Sequence, residues 1–294
     1  AARPATLEDA AQAIQTLFSQ AAMPAAIAAA IAQAYTALAL EPAVVAVRSS
    51  ATAEDLPELS FAGQQETYLN IQGVAALLAA VKRCWASLWT ARAIGYRLQH
   101  GVDQEAVGLA VVVQLLVPAE AAGILFTANP LTGRRDQAMI SAAWGLGEAV
   151  VAGKVTPDTL IVAKASGQIV QRTTADKQVM TVRTEQGTAE QATPADLRRR
   201  PVLDDQQAAE LVRLGNQFEQ LNQTPMDIEW ALAQGALAIL QARPITALPA
   251  AETPSPTVWP LPNPQGQYGR SSIVEQLPDP LSPLFATLGL EVIE

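Results

Sequence analysis

The segment Met226–Thr246 constrains the fold of this chain more than any other, because it predicts two short strands joined by a tight turn. Residues 226–232 alternate between apolar and polar side chains, and residues 237–243 return in the opposite direction. Between them, Ala233-Gln234-Gly235-Ala236 carries the turn signal. The segment is therefore expected to form a β-hairpin.

One face of this hairpin would carry polar side chains. Successive side chains of a strand point to opposite faces, so Asp227 and Glu229 share a face. Gln241 and Arg243 share a face of the returning strand by the same rule, and pairing places Glu229 opposite Leu240 or Gln241, depending on loop length. Carboxylate and amide oxygens suit Mg²⁺, and a guanidinium suits phosphate. The pattern outlines a metal–nucleotide site, although an edge hairpin with a solvated polar face has the same spacing.

The overall charge narrows the class of ligand. The chain has 294 residues, 50% of them hydrophobic, and a formal net charge of −9, which fits a globular protein of one or two domains. A nucleic-acid-binding protein would need a basic surface, so no nucleic-acid partner is expected. An anionic ligand would have to be held by a local cluster of arginine or lysine side chains.

Cysteine content and apolar runs indicate the environment of the chain. Cys84 is the single cysteine, which excludes an internal disulfide and fits a reducing compartment. Gln33 interrupts the Ala-rich segment before it reaches transmembrane length. The N-terminus has neither the basic region nor the long apolar core of a signal peptide. These features predict a soluble, cytoplasmic chain with no membrane segment.

Arg48 is a second candidate for binding an anion. The apolar run 43–47 predicts a buried strand, and Arg48 would stand at its end, before the small hydroxyl residues of 49–52. A guanidinium beside accessible backbone N–H groups suits an oxyanion. An ordinary acidic loop, in which Arg48 pairs with Glu54 or Asp55, fits the same residues.

Other elements follow from periodicity and capping signals. Capping residues followed by apolar residues at helical spacing predict helices over 6–20, 24–40, 74–99 and 205–222. Short apolar runs predict strands over 67–71, 107–117, 122–127, 139–143, 160–162, 169–173 and 179–182. The last three are expected to form a meander.

The glycine-rich segment Trp144–Lys154 invites comparison with phosphate-binding loops. It fails as a Walker A loop, because five residues rather than four separate Gly147 and Gly153, and Val155 replaces the required Ser/Thr. It fails as a dinucleotide-binding loop, because Val150 stands where a third glycine belongs. A glycine-rich flap over phosphates and a plain loop both remain open.

The character of the chain changes after Thr246. Proline recurs through residues 247–268, which predicts a stiff, extended linker. Residues 269–294 resume with apolar side chains and are expected to begin a following domain or a docking tail.

Four segments together resemble one enzyme family. They are VAVRSSATAEDLPELSFAGQQETYLNIQG (45–73), GILFTANPLTG (123–133), WGLGEAVVAGKVTPD (144–158) and DIEWAL…LQARPIT (227–246). In this order they are similar to the nucleotide-binding domain (the phosphoenolpyruvate/pyruvate-binding domain) of the phosphoenolpyruvate-utilising enzymes. That family includes phosphoenolpyruvate synthase, pyruvate phosphate dikinase and the rifampin phosphotransferases. The resemblance covers residues 25–246 and favours a ligand site over a solvated hairpin.

The resemblance implies an α+β, ATP-grasp-like fold whose two lobes clasp Mg-ATP, here over residues 1–246. It also implies transfer of a phosphoryl group from ATP to a histidine on a separate swivelling domain, and from there to pyruvate, as in phosphoenolpyruvate synthase. The alternatives are a rifampin-type phosphotransferase, with a drug as acceptor, and a non-catalytic nucleotide-binding module.

The resemblance also carries roles onto particular residues. Arg48 and Arg243 would hold phosphate oxygens from opposite lobes and serve catalysis, which consists mainly of positioning and charge neutralisation. Asp227, Glu229 and Gln241 would form the metal–phosphate corner, with Glu229 and Gln241 as the Mg²⁺ ligands. The adenine pocket would be lined by three residues that follow one another closely: Gln114, Leu115 and Val117.

Two features of the family have no counterpart in this sequence. The family begins upstream with a glycine–lysine segment (GGKGA-like) whose lysine contacts ATP phosphates, and its phosphocarrier motif is a Thr/Ser-Gly-Gly run leading to a histidine. His100, the only histidine, has a different context. The expectation is a piece of a larger enzyme, truncated at its N-terminus, that does not complete the transfer alone. A missing lobe would expose apolar surface, which predicts a homodimer or poor solubility.

Overall fold

Two antiparallel sheets, one of three strands and one of six, frame the part of the chain that this computed structural model describes. The described residues are 6–38, 43–52, 55–56, 59–60, 67–104, 106–151, 153–185, 187–246 and 248–249. Helices and strands are mixed along them, which confirms the α+β class.

The helices are α1 (Leu7–Gln20), α2 (Ala25–Leu38), α3 (Val74–Ser87), α4 (Ala91–Gln99), α5 (Glu148–Val151), α6 (Ala195–Arg198) and α7 (Asp205–Asn222). The strands are β1 (Val44–Ala51), β2 (Asp55–Leu56), β3 (Leu59–Ser60), β4 (Thr67–Gln72), β5 (Leu109–Leu115), β6 (Ala121–Phe126), β7 (Gln137–Trp144), β8 (Asp158–Ala163), β9 (Ile169–Thr173), β10 (Val179–Thr184), β11 (Gly187–Ala192), β12 (Met226–Ala233) and β13 (Ala236–Pro244).

Side-chain caps begin two helices where the sequence predicted them. The Thr6 hydroxyl accepts a hydrogen bond from the backbone N–H of Asp9 at the start of α1. The Asp204 carboxylate accepts one from the backbone N–H of Gln207 at the start of α7. Each satisfies an N–H group that the helix itself leaves unpaired.

One predicted helix was wrong in its extent. The periodic stretch 74–99 forms two helices, α3 and α4, with the Thr90 side chain capping α4 through the backbone N–H of Ala93. A hydroxyl that competes for backbone groups favours a cap over a helix interior, which explains the break. Helix α4 ends at Gln99, as predicted, and His100 is its C-cap residue.

The three-stranded sheet has the order β4-β1-β5, with antiparallel neighbours. Helix α3 packs against it, and the core between them buries Val45, Val47, Leu77 and Cys84. The prediction that Arg48 ends its strand was wrong, because β1 continues through Ala51. Pairing with β5 along this whole length extends the strand through residues whose polarity suggested a loop.

The six-stranded sheet has the order β13-β12-β6-β7-β8-β9, again with antiparallel neighbours. Helix α7 packs on it, over a core that includes Leu125, Ile140, Leu160, Leu211 and the fully buried Trp230. The predicted hairpin supplies β12 and β13, so its apolar face is part of this core.

The two strands predicted within 107–127 belong to different sheets. Strand β5 lies in the three-stranded sheet and β6 in the six-stranded sheet. On the connection between them, the Leu116 N–H donates to the Val44 carbonyl and the Glu120 N–H donates to the Leu232 carbonyl. The connection therefore passes from one sheet to the other and holds an end of each.

The meander predicted over 160–182 was wrong in its last strand. Strands β8 and β9 join the large sheet, whereas β10 pairs with β11, which no sequence signal predicted. The Asn70 side-chain amide of β4 donates to the carbonyls of Thr184 and Gly187 at 2.5 and 2.7 Å. The β10–β11 hairpin is thereby attached to the three-stranded sheet.

No single helix within the described ranges is long and apolar enough to cross a membrane. Helices α1 and α2 meet the length and composition test only when taken together across a bend of 75°. The expected linker 247–268 and the segment 269–294 lie outside the described residues, apart from 248–249.

Candidate functional site

The predicted hairpin has the register that pairs its polar residues. Glu229 lies opposite Gln241, one of the two partners that loop length had left open, and Asp227 lies opposite Arg243. The turn is Gln234-Gly235, with positive φ of 52° and 77°, which is the backbone of tight hairpin turns. The register set by the turn would place Glu229 opposite Leu240, and a bulge between Glu229 and Trp230 shifts it to Gln241. Alternation, the turn and this bulge together place four polar side chains near one another.

Arg48 reaches this hairpin from the other sheet. Its Nη1 donates hydrogen bonds to Glu229 Oε2 at 3.0 Å and to Gln241 Oε1 at 2.6 Å. The Arg48 and Glu229 side chains are each 16% exposed, and a charge so far removed from water needs a partner. The contact therefore holds β1 against β12 and β13. The two alternative partners predicted for Arg48 lie outside the described residues: Glu54 and the side chain of Asp55.

Arg243 completes a cluster in which two arginines balance two acids. Its Nε donates to Asp227 Oδ2 at 3.3 Å, and its Nη2 lies 3.8 Å from Glu229 Oε1. Glu229 thus stands between Arg48 and Arg243, with one arginine at each carboxylate oxygen. Two guanidinium groups held near each other offer paired donors to phosphate oxygens.

The ionisation of Asp227 is displaced by its surroundings. Burial raises the pKa of Asp227 above the ordinary value of 3.8, and the charge of Glu229 raises it further. The charge and hydrogen bond of Arg243 act in the opposite direction. The net effect is a raised pKa, because removal from water disfavours the charged form.

The cluster borders a cleft of about 570 Å³ that both sheets line. Along β13, Leu240 comes nearer the hairpin turn than Gln241 and Arg243, and along β12, Ala231 comes nearer it than Glu229. The cleft is therefore apolar towards the turn and charged away from it. A ligand with a flat apolar part and an anionic part would match both regions.

Three residues predicted to form the adenine pocket border the apolar part of this cleft: Gln114, Leu115 and Val117. The Gln114 side-chain amide donates to the Leu240 carbonyl at 3.3 Å, which connects β5 to β13. Leu115 is 47% exposed, and Val112, three residues before it in β5, is 48% exposed. Apolar side chains left exposed inside a cleft are typical of a surface that a ligand covers.

Asp227 differs from the other predicted site residues in that it does not line the cleft. It contacts Arg243 from the side and so orients that guanidinium. Glu120, on the connection between β5 and β6, accepts a hydrogen bond from the backbone N–H of Gln234 at the hairpin turn.

The glycine-rich segment, which the sequence left between a flap and a plain loop, borders the cleft. The Leu146 N–H donates to the Thr181 carbonyl at 2.8 Å, and Glu148 begins α5. The glycines of this segment were the sequence signal that could have placed it at a ligand site. Four residues of the segment line the cleft: Leu146, Gly147, Glu148 and Val151. Other lining residues had no sequence signal: Ala46, Thr67, Leu69, Ala119, Ala122, Ala231 and Leu240.

A divalent cation would find two of its ligands here. No group of three or more His, Cys, Asp or Glu side chains within the described ranges has the geometry of a metal site. Mg²⁺, however, commonly takes only one or two protein carboxylates and fills its other positions with phosphate and water. Glu229 and Gln241 offer the one carboxylate and one amide oxygen that such a cation would need. Arg48 donates hydrogen bonds to the same two side chains.

A second groove, of about 610 Å³, lies against α1, α3 and β4. Its two cationic side chains, Lys82 and Arg83, already contact other groups of the chain. Lys82 Nζ donates to the carbonyls of Ser19 and Ala21, and the Arg83 guanidinium stacks over the Tyr68 ring at 4.0 Å. None of the described residues that line it is acidic, so it lacks the paired acids of the first cleft, which is the better candidate.

Comparison with known proteins shows the family to which the chain belongs. The profile of the family described as "Pyruvate phosphate dikinase, AMP/ATP-binding domain" matches residues 1–258. The chain is 49% identical over 256 residues to phosphoenolpyruvate synthase of Pyrococcus furiosus, which covers 82% of this chain and 31% of that protein. It is 48% identical over 247 residues to a probable phosphoenolpyruvate synthase of Methanocaldococcus jannaschii (82% of this chain, 21% of that protein). It is 51% identical over 210 residues to a rifampicin phosphotransferase of a Streptomyces species (71% and 24%). The chain thus spans at most about a third of the length of these relatives.

Proposed function

The chain belongs to the pyruvate phosphate dikinase AMP/ATP-binding domain family, as its sequence motifs predicted, and we propose that it is the ATP-binding part of a phosphotransferase. ATP would lie in the cleft that both sheets line. The observation that carries this proposal is the cluster of Arg48, Glu229, Gln241 and Arg243 beside an apolar surface. The adenine base of ATP is flat and apolar, and its polyphosphate is anionic. The base therefore matches the apolar surface, and the polyphosphate matches the arginine-containing cluster.

The two arginines would bind and orient the phosphates. The Arg243 guanidinium is already fixed by Asp227, and a fixed donor loses little conformational entropy when the phosphate arrives. Arg48 would exchange its contact with Glu229 for phosphate oxygens. Both guanidinium groups would neutralise the charge spread over those oxygens during transfer. Glu229 and Gln241 would hold Mg²⁺, which when bound supplies further neutralisation of phosphate charge.

The base would lie against β5 and β13. Val112, Leu115 and Leu240 would cover its faces, and the backbone around Val117 would offer hydrogen bonds to its edge. The Gln114 contact with the Leu240 carbonyl would keep these two walls at a fixed separation. The two sheets would then act as the two lobes of an ATP-grasp-like fold.

The acceptor would be a histidine on another domain, which passes the phosphoryl group to pyruvate. This chain's similarity to phosphoenolpyruvate synthases supports that assignment. Its similarity to rifampicin phosphotransferases supports a second candidate, transfer to a drug hydroxyl. We propose residues 1–246 as the nucleotide-binding domain, 247–268 as a linker and 269–294 as the start of the next domain. A homodimer and a cytoplasmic location stay predictions.

Isothermal titration of Mg-ATP into the whole chain tests the proposal. Arg243→Ala should weaken binding by about 1.5–3 kcal/mol, roughly 10- to 160-fold, because a hydrogen bond to a charged group is lost. Arg134→Ala is the matched control, since Arg134 is an exposed arginine that pairs with Asp136 outside the cleft. Absence of binding by the unaltered chain, or equal losses in both variants, would contradict the proposal.

A further inference from the structure

Arg48 bonds the two oxygens that the proposed function assigns to a divalent cation. A single nitrogen, Nη1, donates to Glu229 Oε2 at 3.0 Å and to Gln241 Oε1 at 2.6 Å. It bridges a carboxylate and an amide in the way that a metal ion would.

The Arg48 contact and a cation at these oxygens exclude each other. Mg²⁺ coordinates oxygen at about 2.0–2.1 Å, so an ion that bridges both oxygens would fall in the space that Nη1 occupies. Both groups are positively charged, and repulsion at this separation is strong where water is scarce. The Arg48 and Glu229 side chains are each 16% exposed, so little water screens them.

Arg48 cannot simply leave, because its charge would lose its partner. Removing one member of a buried ion pair is costly, since the remaining charge stays uncompensated. Among the described residues, Arg48 Nε is also buried with no hydrogen-bond acceptor. A phosphate group in the cleft, which Arg48 lines, would supply both the negative charge and the additional acceptor oxygens.

We propose that Arg48 acts as an internal counter-ion that withholds Glu229 and Gln241 from divalent cations until nucleotide phosphate draws it away. The inference rests on the proposed function of the cleft. Arg48 is then a positioning residue for the cation as well as a phosphate ligand. Cation and nucleotide would bind with positive coupling, because each removes a cost from the binding of the other.

Removing the Arg48 charge should therefore change the two affinities in opposite directions. Without it, Arg243 alone faces Asp227 and Glu229, and the cluster has a net negative charge. Affinity for a free cation should rise, while affinity for nucleotide should fall. A residue that only stabilised the fold would lower both.

The experiment is titration of the whole chain with Mn²⁺ in the absence of nucleotide, followed by the electron paramagnetic resonance signal of free Mn²⁺. Arg48→Met keeps most of the side-chain volume without the charge and should bind Mn²⁺ more tightly than wild type by at least about fivefold, the lower range of coupling between sites. Arg134→Met, outside the cleft, should match wild type. Adding Glu229→Gln to Arg48→Met should remove the gain, which places the cation at Glu229.

Unchanged or weaker Mn²⁺ binding by Arg48→Met would overturn the inference. Arg48→Gln, a smaller neutral variant, must show the same gain, and a circular dichroism spectrum like that of wild type confirms that each variant is folded. The Mn²⁺ comparison contains no nucleotide, so its outcome is separate from the Mg-ATP titration. If ATP binds but the Mn²⁺ affinities are equal, only the counter-ion role fails.

Discussion

At the scale of single residues, Asp227 shows how burial and charge act on one carboxyl group. Burial and the neighbouring Glu229 raise its pKa, although it contacts a guanidinium. A carboxyl next to arginine ordinarily has a lowered pKa, so removal from water outweighs pairing here. The residue that orients Arg243 is therefore sensitive to pH.

We expect the stability contributed by Asp227 to decline as pH rises. The folded chain retains a proton on Asp227 between the ordinary pKa of 3.8 and the raised value. This contribution is complete below the ordinary pKa and is lost as the pH passes through the raised one. Urea unfolding in steps from about pH 4 to pH 7 should show the unfolding free energy of wild type falling relative to that of Asp227→Asn.

Asp136→Asn supplies a control with the opposite sign. The hydrogen bond from Arg134 lowers the pKa of Asp136, so its contribution is present above the ordinary pKa and lost as the pH falls. The unfolding free energy of wild type could instead rise with pH relative to that of Asp227→Asn, as it is expected to do relative to Asp136→Asn. That result would mean that pairing with Arg243 dominates over burial.

At the scale of elements, the glycine-rich segment depends on its contact with β10. Gly145 forms a bridge with Thr181 and has φ of +82°. A Cβ at this position would lie 2.2 Å from the Thr181 carbonyl oxygen. Only glycine permits the close approach, and the approach positions Leu146 to Val151 along the cleft.

Gly145→Ala should displace this segment and weaken Mg-ATP binding together with stability. Gly153→Ala is the matched control, since Gly153 also has positive φ, +66°, but its Cβ would meet none of the described residues within 4 Å. The control should cost about 1–3 kcal/mol of backbone strain, and Gly145→Ala should cost more because of the clash. Thermal unfolding and calorimetry measure the two effects, and equal effects in both variants would refute the role of the close approach.

At the scale of the whole molecule, the hairpin could be predicted and its partners could not. Alternation predicted the shared face of Asp227 and Glu229, and the Gln234-Gly235 turn predicted the hairpin, whereas the bulge that sets Glu229 opposite Gln241 had no sequence signal. The Arg48–Glu229 contact joins residues 181 positions apart, and no local pattern contains such a distance. Family resemblance assigned Arg48 and the hairpin to one ATP site, but it predicted no contact between Arg48 and Glu229.

Strand pairing was hidden for a related reason. Strand β11 has exposed residues along most of its length and no apolar alternation, so its partner β10 was assigned to the wrong neighbour. The separation of β5 from β6 arises from a five-residue crossing (116–120) whose hydrogen bonds reach β1 and β12. In both cases tertiary contacts decide the structure, and local propensity does not.

Photolabelling with 8-azido-ATP in the presence of Mg²⁺ tests most directly where the nucleotide binds. The azido group is on the base, so the label reports the base position. The cleft that both sheets line predicts label in peptides containing residues 112–119 or Leu240, suppressed by excess ATP. ATP-suppressible label confined to the groove lined by α1 and α3, in peptides containing Gln12–Ser19 or Lys82–Thr90, would contradict it.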